Sequence, residues 1–360
     1  MLFSRVSIRN VRVINNATLN PTPGINNVIG PNGSGKTSFL EALHILSAGH
    51  SFRESKIERI IADDASDLRV VADFTDSLNQ PDRIAGVSRG RTGTVDARLD
   101  RQEIKRLSQL SKALPLVALH PESHQIISGG PTNRRKLVDW GVFHVEHTFH
   151  DIWRHYKRLL DQRNAALKAG ARQSEIAIWD TGLADSGEKI SLMRQEYLTR
   201  LKPILNTLAE QFEWTGNVAL EYQRGWTADS TLAQALAGSL PRDAQYKTTQ
   251  NGPHRAEIVI RDSGHDVRYT YSRGQIKLLT YLIRVAQAEL LKESNGQLSV
   301  ILCDDLAAEL DLENQHRLLQ VLTDVGYQVF VTSLAPIKNE SATKDSAVFH
   351  VKHGSIAQVV

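Results

Sequence analysis

Three features that this 360-residue chain has little of or lacks limit the kind of protein it can be. Its single cysteine, Cys303, excludes a disulfide within one chain and any cluster of cysteine ligands for a metal, and it suits a reducing compartment. No apolar run approaches the roughly 18 residues that a membrane-spanning helix needs. The first residues, Met1 to Arg9, alternate like a strand rather than forming a signal peptide. We therefore expect a soluble, cytoplasmic protein.

The chain also lacks a strong net charge. Its formal net charge is +3, which is compatible with a nucleic-acid partner but does not by itself indicate one. No internal repeat or long low-complexity tract is present. With 41% hydrophobic residues, a chain of this length can bury a sizeable core and fill about two domains.

The most informative stretch matches the phosphate-binding loop pattern G-x-x-x-x-G-K-T. Its residues are Gly30, Pro31, Asn32, Gly33, Ser34, Gly35, Lys36 and Thr37. An apolar run (Ile25 to Ile29) precedes it, and a helix-like run (Ser38 to Leu46) follows. A strand that feeds such a loop and a helix aims backbone N–H groups and the helix dipole at an anion. We predict nucleotide binding here, with Lys36 at the β- and γ-phosphates and Thr37 as a Mg²⁺ ligand. The alternative interpretation is a glycine-rich surface turn.

A pair of acids follows a second strand pattern near the end of the chain. The apolar run Leu298 to Cys303 is followed directly by Asp304 and Asp305. In an ATPase, Asp304 would hold Mg²⁺, and Asp305 would orient or deprotonate the attacking water. We therefore predict Asp305 and Lys36 as catalytic residues. A simple helix-capping turn is the alternative, but the apolar run and the phosphate loop upstream favour the ATPase interpretation.

A third motif stands just before a long predicted helix, about residues 275–292. It reads Ser272, Arg273, Gly274 and Gln275. A helix N-terminus suits an anion, although such a serine is by itself an ordinary N-cap. Because the paired acids follow this helix, we predict that these four residues bind nucleotide.

The middle of the chain has a helical pattern from about residue 133 to 214. One predicted helix covers most of 134–168 and another most of 186–212, with a kink expected at Pro203. The first carries eight basic and four acidic side chains, which a solvated face and a DNA contact explain equally well. Two further arginines, Arg89 and Arg91, lie in a predicted basic turn. We predict an ATPase lobe from residues 1–124 and 216–360, and an inserted helical arm over 125–215.

The order of these motifs resembles that of the ABC-type ATPases and, within these, the RecF family of bacterial recombination mediators. The matching segments are Gly30 to Thr37, Ser51 to Arg53, Pro121-Glu122, Gly130 to Arg135, Ser272 to Lys277 and Asp304 to Asp311. The phosphate loop is shared by many nucleotide-binding proteins, whereas the Ser-Arg-Gly-Gln and Asp-Asp-x-x-x-Glu-Leu-Asp pair is much more specific. The resemblance implies an α/β fold: an ABC-type P-loop ATPase head with an inserted helical lobe.

The resemblance also implies a mechanism. ATP and Mg²⁺ would join two monomers head to tail, so that Ser272, Arg273 and Gly274 contact the γ-phosphate on the other subunit. This homodimer would clamp duplex DNA near single-strand gaps and assist recombinase loading with the mediator proteins RecO and RecR. Slow, weak and DNA-stimulated ATP hydrolysis would release the clamp.

Several positions depart from the patterns of these families. Thr332-Ser333 stands where transporter ATPases have a switch histidine, and Asp305 stands where transporters have glutamate. His50 replaces an expected arginine and Ser123 an expected acid, and Gln125 is the candidate for the glutamine loop.

Three alternatives belong to other functional classes. The ATPase subunit of an ABC-type transporter would need a membrane-docking surface, and the basic helical insertion argues against it. The motif at Ser272 argues against a P-loop kinase or helicase. The presence of Lys36, Thr37 and Asp304 argues against a DNA-binding scaffold that does not hydrolyse ATP.

Overall fold

The computed structural model describes residues 1–76, 82–214, 216–337 and 346–359. They form two compact units. The first combines Met1–Ser123 with Leu291–Val360, and the second is His124–Leu290. None of the described helices is both long enough and apolar enough to cross a membrane.

The strands, in chain order, are β1 (Leu2–Val11), β2 (Ile14–Leu19), β3 (Ile25–Ile29), β4 (Asp67–Thr75), β5 (Arg83–Gly90), β6 (Val95–Leu99), β7 (Gln102–Glu103), β8 (Leu116–Leu119), β9 (Val218–Gln223), β10 (Glu257–Asp262), β11 (His265–Asp266), β12 (Val300–Cys303), β13 (Val329–Ser333), β14 (Ser346–Lys352) and β15 (Ser355–Gln358).

The α-helices are α1 (Lys36–Ala48), α2 (Ser108–Ala113), α3 (Gln125–Ser128), α4 (Pro131–Val145), α5 (Phe149–Ala169), α6 (Gln173–Ile176), α7 (Asp180–Gln211), α8 (Leu232–Tyr246), α9 (Val267–Thr270), α10 (Arg273–Asn295), α11 (Leu306–Glu309) and α12 (Leu312–Val325). Short 3₁₀ helices cover Ile57–Arg59, Pro121–His124, Ala177–Trp179 and Pro253–Arg255.

The first unit contains two six-stranded sheets. One is antiparallel, in the order β2-β1-β4-β5-β6-β7, and the other is mixed, in the order β15-β14-β3-β13-β12-β8. In the mixed sheet β3, β13 and β12 run parallel, with Ile29 opposite Ser333 and Val331 opposite Cys303. The carboxyl ends of these strands therefore meet at one edge, where the chain segments that follow them come together.

Helix α1 packs between the two sheets of the first unit, against β1, β4 and β5 on one side and β8 and β13 on the other. The helix is buried on most of its surface, and its apolar residues face both sheets. The Phe39 ring lies 5.6 Å from that of Phe330, and Phe3 lies 6.5 Å from Phe330. Truncating Phe39 to alanine in such a core costs about 3–5 kcal/mol. The helix that begins at the phosphate loop is thus held rigidly by the core.

The second unit combines helices with a three-stranded antiparallel sheet, β11-β10-β9. Helix α7 packs against α4, α5, α8 and β9. Buried arginines tie these elements together. The pairs are Arg163 with Asp180 and Asp243, Arg194 with Asp139, and Arg134 with Glu257. Removing one partner of a buried pair leaves an uncompensated charge and costs about 3–5 kcal/mol.

The α/β fold class is confirmed. The apolar run Ile25 to Ile29 forms β3 as predicted, and the short apolar run at 116–119, which also predicts a buried strand from the sequence, forms β8. The helix predicted over 134–168 is two helices, α4 and α5, and α7 continues through Pro203 as one helix. The residues at 267–270, which are mostly β-branched or aromatic, also predict a strand from the sequence, and this prediction is wrong. The segment is the helical turn α9, because the Asp266 side chain accepts a hydrogen bond from the backbone N–H of Arg268 and caps a helix.

The observed division of the chain differs from the predicted one at one boundary. Residues 216–290, assigned from the sequence to the ATPase lobe, lie in the second unit with the helices. The reason is that β9 pairs with β10, while β9 packs on α7 and β10 on α4. Helix α8 lies in the same region and was not predicted, although its Thr231–Gln234 capping box is a recognisable start signal.

Candidate nucleotide-binding site

The predicted phosphate loop joins β3 to α1 in the first unit. Two of its glycines are required by the backbone. Gly30 has φ +154°, and a Cβ there would lie 2.3 Å from the carbonyl oxygen of Val351. Gly35 has φ +115° and directly precedes α1. Side chains at these positions would strain the backbone or clash, so the loop conformation depends on glycine.

The inside of this loop is suited to an anion. The Lys36 ammonium donates to the carbonyl oxygens of Gly30 at 2.8 Å and Pro31 at 3.1 Å. No carboxylate in the described part of the chain lies within ion-pair distance of it. The Ser34 hydroxyl is buried and has no hydrogen-bond partner among the described residues. No side-chain hydrogen bond caps the N-terminus of α1. These unsatisfied donors and the uncompensated charge fit a phosphate group.

The paired acids lie at the same edge of the mixed sheet, directly after β12. Asp304 is 6% exposed, and its Oδ1 accepts hydrogen bonds from Thr37 Oγ1 and Thr332 Oγ1, each at 2.9 Å. Thr37 comes from the start of α1 and Thr332 from β13. Three segments that are distant in sequence are therefore joined on one carboxylate oxygen.

The environment of Asp304 changes the pKa of its carboxyl group. Burial raises the pKa of its carboxyl above the ordinary value, while the hydrogen bonds from Thr332 and Thr37 and the charge of Arg53 act in the opposite direction. A buried carboxylate held above its usual pKa gains most from a bound cation. Burial also raises the pKa of the neighbouring Cys303 thiol, to about 12, so the thiol is uncharged at neutral pH.

The residues present fit a magnesium ion. The Thr37 hydroxyl and the Asp304 carboxylate are the hard oxygen ligands that Mg²⁺ prefers, and they are in direct contact. Within residues 1–76, 82–214, 216–337 and 346–359, no group of three or more His, Cys, Asp or Glu is placed to hold a metal by itself. Such an ion would therefore take its remaining ligands from nucleotide and water oxygens.

Asp305 differs from Asp304 in exposure and in backbone conformation. It is exposed and left-handed, with φ 52° and ψ 43°. Its N–H donates to Thr332 Oγ1 at 2.8 Å, which fixes the residue at the end of β12. Since left-handed aspartate is uncommon and carries some strain, this conformation is imposed by the surrounding structure.

The residues of the third predicted motif lie at the start of α10, in the second unit. Ser272 Oγ accepts from the backbone N–H of Gln275 at 3.3 Å, and Gln275 Oε1 accepts from that of Ser272 at 2.9 Å. This is a capping box. Ser272, Arg273, Gly274 and Gln275 are all exposed. The motif thus caps its helix and also presents its side chains at the surface of the unit.

The basic turn is not a free anion site. Arg91 donates to the backbone carbonyls of Glu58, Ile61, Ala62, Asp63 and Ala65, and Arg89 donates to that of Gly49. Gln125 begins α3 in the second unit.

One residue of the site escaped the sequence prediction. The sequence pattern marks Thr332 only as standing where transporter ATPases have a histidine, yet its hydroxyl joins Asp304 to the backbone of Asp305. The sequence does contain a signal that could have identified Thr332 as a site residue. It lies near the end of a predicted buried strand, and the carboxyl ends of neighbouring parallel strands meet at one edge of a sheet.

Comparisons with known proteins support the same fold and family. A family model described as the RecF/RecN/SMC N terminal domain matches residues 2–357. The chain is 40% identical to the DNA replication and repair protein RecF of Thioalkalivibrio sulfidiphilus (strain HL-EbGR7), over 99% of both chains. It is 37% identical to that of Shewanella denitrificans (strain OS217 / ATCC BAA-1090 / DSM 15013), over 100% of both.

Solved structures support the same fold. A structure of the recombination mediator protein RecF with ATP superposes with a TM-score of 0.90 at 25% identity, over 99% of this chain and 97% of that one. An Smc head bound to a domain of ScpA gives a TM-score of 0.59 at 14% identity, over 100% and 97%, and so shares the fold. Since the family model and these relatives span nearly the whole chain, the protein belongs to the RecF family of ATPases within the RecF/RecN/SMC group.

Proposed function

We propose that the protein is an ATP-dependent DNA-binding protein of DNA replication and recombinational repair. The observation that carries the nucleotide part is the hydrogen bond between Thr37 and Asp304. It brings the end of the phosphate loop and the first of the paired acids to one point, as Mg²⁺–ATP binding requires. Relatives that share the whole length of the chain are named DNA replication and repair proteins, which supports the DNA part.

The phosphate loop would bind the ATP phosphates. The Lys36 ammonium would exchange its two backbone carbonyl partners for β- and γ-phosphate oxygens. The N–H groups at the start of α1 and the Ser34 hydroxyl would complete the cradle. A magnesium ion held by Thr37 and Asp304 would supply charge stabilisation to the transferring phosphoryl group.

Asp305 would act on the attacking water. Its exposure leaves its carboxylate accessible to a water molecule, and its backbone is fixed by the hydrogen bond to Thr332. An aspartate is one methylene shorter than the glutamate found in transporter ATPases, so its reach to the water is poorer. Slow hydrolysis follows from this geometry.

The exposed motif at Ser272, Arg273 and Gly274 would complete the ATP site of a second copy. An uncapped phosphate loop and an exposed helix N-terminus are complementary to the two ends of one triphosphate. ATP would then join two monomers head to tail. The γ-phosphate is the contact that distinguishes the ATP-bound state from the ADP-bound state, so it would act as the switch.

The ATP-joined homodimer would clamp duplex DNA near single-strand gaps, and hydrolysis stimulated by DNA would release it. Helix α5 offers exposed Arg154, Lys157 and Arg158 for phosphate contacts, although Lys157 also pairs with Asp161 at 2.7 Å. A structural relative is named a recombination mediator of the RecFOR pathway. This name supports a role in recombinase loading together with RecO and RecR. The comparisons do not support the alternative of a transporter subunit.

The deciding experiment is fluorescence anisotropy of a labelled gapped duplex with Mg²⁺ and either ATP or ADP. Tight binding with ATP and weak binding with ADP is the expected result. Affinity should also fall steeply with salt concentration, because bound phosphates release counterions. Equal binding with both nucleotides would refute the nucleotide-gated clamp, and a flat salt response would refute a phosphate-dominated interface.

A mixing experiment tests the composite site. Lys36→Ala and Ser272→Arg should each abolish ATPase activity alone, since each inactivates both sites of a homodimer. Mixed in equal amounts, they form heterodimers in which one site has an intact loop and an intact Ser272. Recovery of activity is the expected result. No recovery, with both variants folded and their heterodimer detected, would exclude the head-to-tail arrangement.

A further inference from the structure

The carboxyl-terminal hairpin of the chain touches the phosphate loop within the first unit. Strands β14 and β15 pair through Lys352–Ser355 and Val351–Ile356, which leaves a two-residue turn of His353 and Gly354. Both turn residues have positive φ, 46° and 76°. That combination is typical of a type I′ turn, whose twist matches that of the flanking strands.

The turn places one backbone donor on the loop. In a two-residue hairpin the flanking residues make the ladder hydrogen bonds, so the N–H groups at the tip are free to bond elsewhere. The Gly354 N–H donates to the carbonyl oxygen of Ser34 at 2.9 Å. Gly354 is itself buried, and a Cβ there would lie 1.8 Å from the carbonyl oxygen of Val13. The tip is therefore confined between the phosphate loop and the β1–β2 turn.

A second contact supports the loop at its other end. The carbonyl oxygen of Val351, in β14, lies 2.3 Å from the place that a Cβ of Gly30 would occupy. The Val351 side chain also lies within 3.6 Å of the corresponding place on Gly35. The hairpin thus contacts the first glycine of the loop, its last glycine and the serine between them.

This contact has a consequence for anion binding. The peptide unit is planar and trans, so its C=O and the following N–H point in opposite directions. Holding the Ser34 carbonyl toward the hairpin therefore directs the Gly35 N–H away from the hairpin. The hairpin therefore sets the orientation of a donor that the phosphates would use.

We propose that the β14–β15 hairpin is a working part of the nucleotide site, with Gly354 a positioning residue whose N–H holds the phosphate loop in its anion-binding conformation. The inference rests on the proposed nucleotide binding. It adds a segment some three hundred residues from the loop in sequence to the machinery that determines ATP and ADP affinity.

The test is the affinity of Gly354→Ala for ADP and for ATP, measured by calorimetry. The added Cβ must displace the tip from Val13 and so lengthen the bond to Ser34. We expect both affinities to fall by at least about fivefold, the worth of one hydrogen bond. The loss should be equal for ADP and ATP, because the loop contacts phosphates that both nucleotides carry.

Gly326→Ala is the matched control. Gly326 lies in the same unit, has φ +88°, and a Cβ there meets nothing within 4 Å. It therefore introduces similar backbone strain without touching the loop, and should lower the melting temperature while leaving both affinities as in the wild type. Wild-type affinity in folded Gly354→Ala would overturn the proposal. Absence of ATP binding by the wild-type protein would instead refute the proposed function.

Hydrogen exchange on the unaltered protein gives a second test that needs no variant. If the hairpin holds the loop, saturating ADP should slow exchange of the Gly354 amide, because the bound loop opens less often. Exchange at Gly354 that is insensitive to ADP, while the loop amides become protected, would also overturn the proposal.

Discussion

The Thr37 hydroxyl donates to Asp304 Oδ1 at 2.9 Å, although 267 residues separate the two in sequence. The bond links the first turn of α1 to the end of β12, and Thr332 completes it from the neighbouring strand. Two residue types that commonly bind magnesium in ATPases are thus in direct contact. The arrangement is preorganised for the proposed Mg²⁺–nucleotide site.

Asp304→Asn should make the folded protein more stable and abolish its ATPase activity. Burial raises the pKa of Asp304, so its ionised form is disfavoured in the folded state, and charging it as the pH rises costs stability. An asparagine oxygen can accept from the same two hydroxyls without that cost. We expect the free energy of unfolding at pH 7.5 to rise by up to about 1 kcal/mol, while Mg²⁺-dependent ATPase activity is lost.

Urea unfolding of the wild type and the variant at several pH values checks this prediction. The advantage of Asp304→Asn should shrink as the pH falls through the raised pKa of Asp304, because the wild-type carboxyl then becomes neutral. A variant that is less stable than the wild type at pH 7.5 would contradict the assigned cost of burial.

Lys36→Ala should abolish ATP-driven self-association. Lys36 supplies the loop with a cation that no described carboxylate neutralises, so its loss removes the main attraction for the triphosphate. Light scattering with Mg²⁺ and ATP should report a doubled mass for the wild type and an unchanged mass for the variant. Exposed Lys56 provides the control, since Lys56→Ala removes the same charge from the first unit. A mass increase in Lys36→Ala would contradict the proposed role.

Asp305→Asn should keep ATP binding and prolong the DNA-bound state. Asparagine tolerates the left-handed conformation seen at this position, so the backbone bond to Thr332 should persist. It cannot take a proton from water at neutral pH. Turnover should fall by about 10²-fold or more if Asp305 is the general base. Dissociation from gapped DNA after ATP addition should slow in parallel, and normal turnover would remove Asp305 from catalysis.

His254 should make the second unit sensitive to acid. Its Nδ1 lies 2.6 Å from the Tyr156 hydroxyl and its Nε2 lies 3.0 Å from the Thr249 carbonyl, which fits a neutral ring. Burial lowers the pKa of His254 to about 4 from an ordinary 6.5. The unfolded chain therefore binds the proton more tightly, and stability is lost as the pH falls from about 6.5 toward 4.

The size of that loss is at most about 3 kcal/mol. His254→Gln keeps an acceptor for Tyr156 and a donor for Thr249, and should flatten the dependence of stability on pH in this window. The exposed His316→Gln should retain the wild-type dependence. An unchanged slope in His254→Gln would show that other groups cause the acid sensitivity.

Local sequence patterns predicted the structure correctly where the residues that determine a segment are contiguous in the chain. The apolar run of β3, the glycines of the loop and the helix-forming residues after Thr37 are contiguous, so their structure follows from nearest neighbours. The strand before Asp304 was readable for the same reason. The residue pattern gave a wrong prediction at 267–270. The β-branched and aromatic residues there favour a strand, but the hydrogen bond that the Asp266 side chain accepts stabilises a helical turn instead.

The sequence by itself determined the phosphate loop, the paired acids, the capped start of α10 and, through the order of these motifs, the family. The tertiary structure alone decided that Thr332 shares Asp304 with Thr37, that Gly354 bonds to Ser34, and that residues 216–290 belong to the second unit. These contacts join segments that are far apart in the chain. They depend on the order of the strands in the sheets and on the burial of each group. Neither can be read from a local sequence pattern.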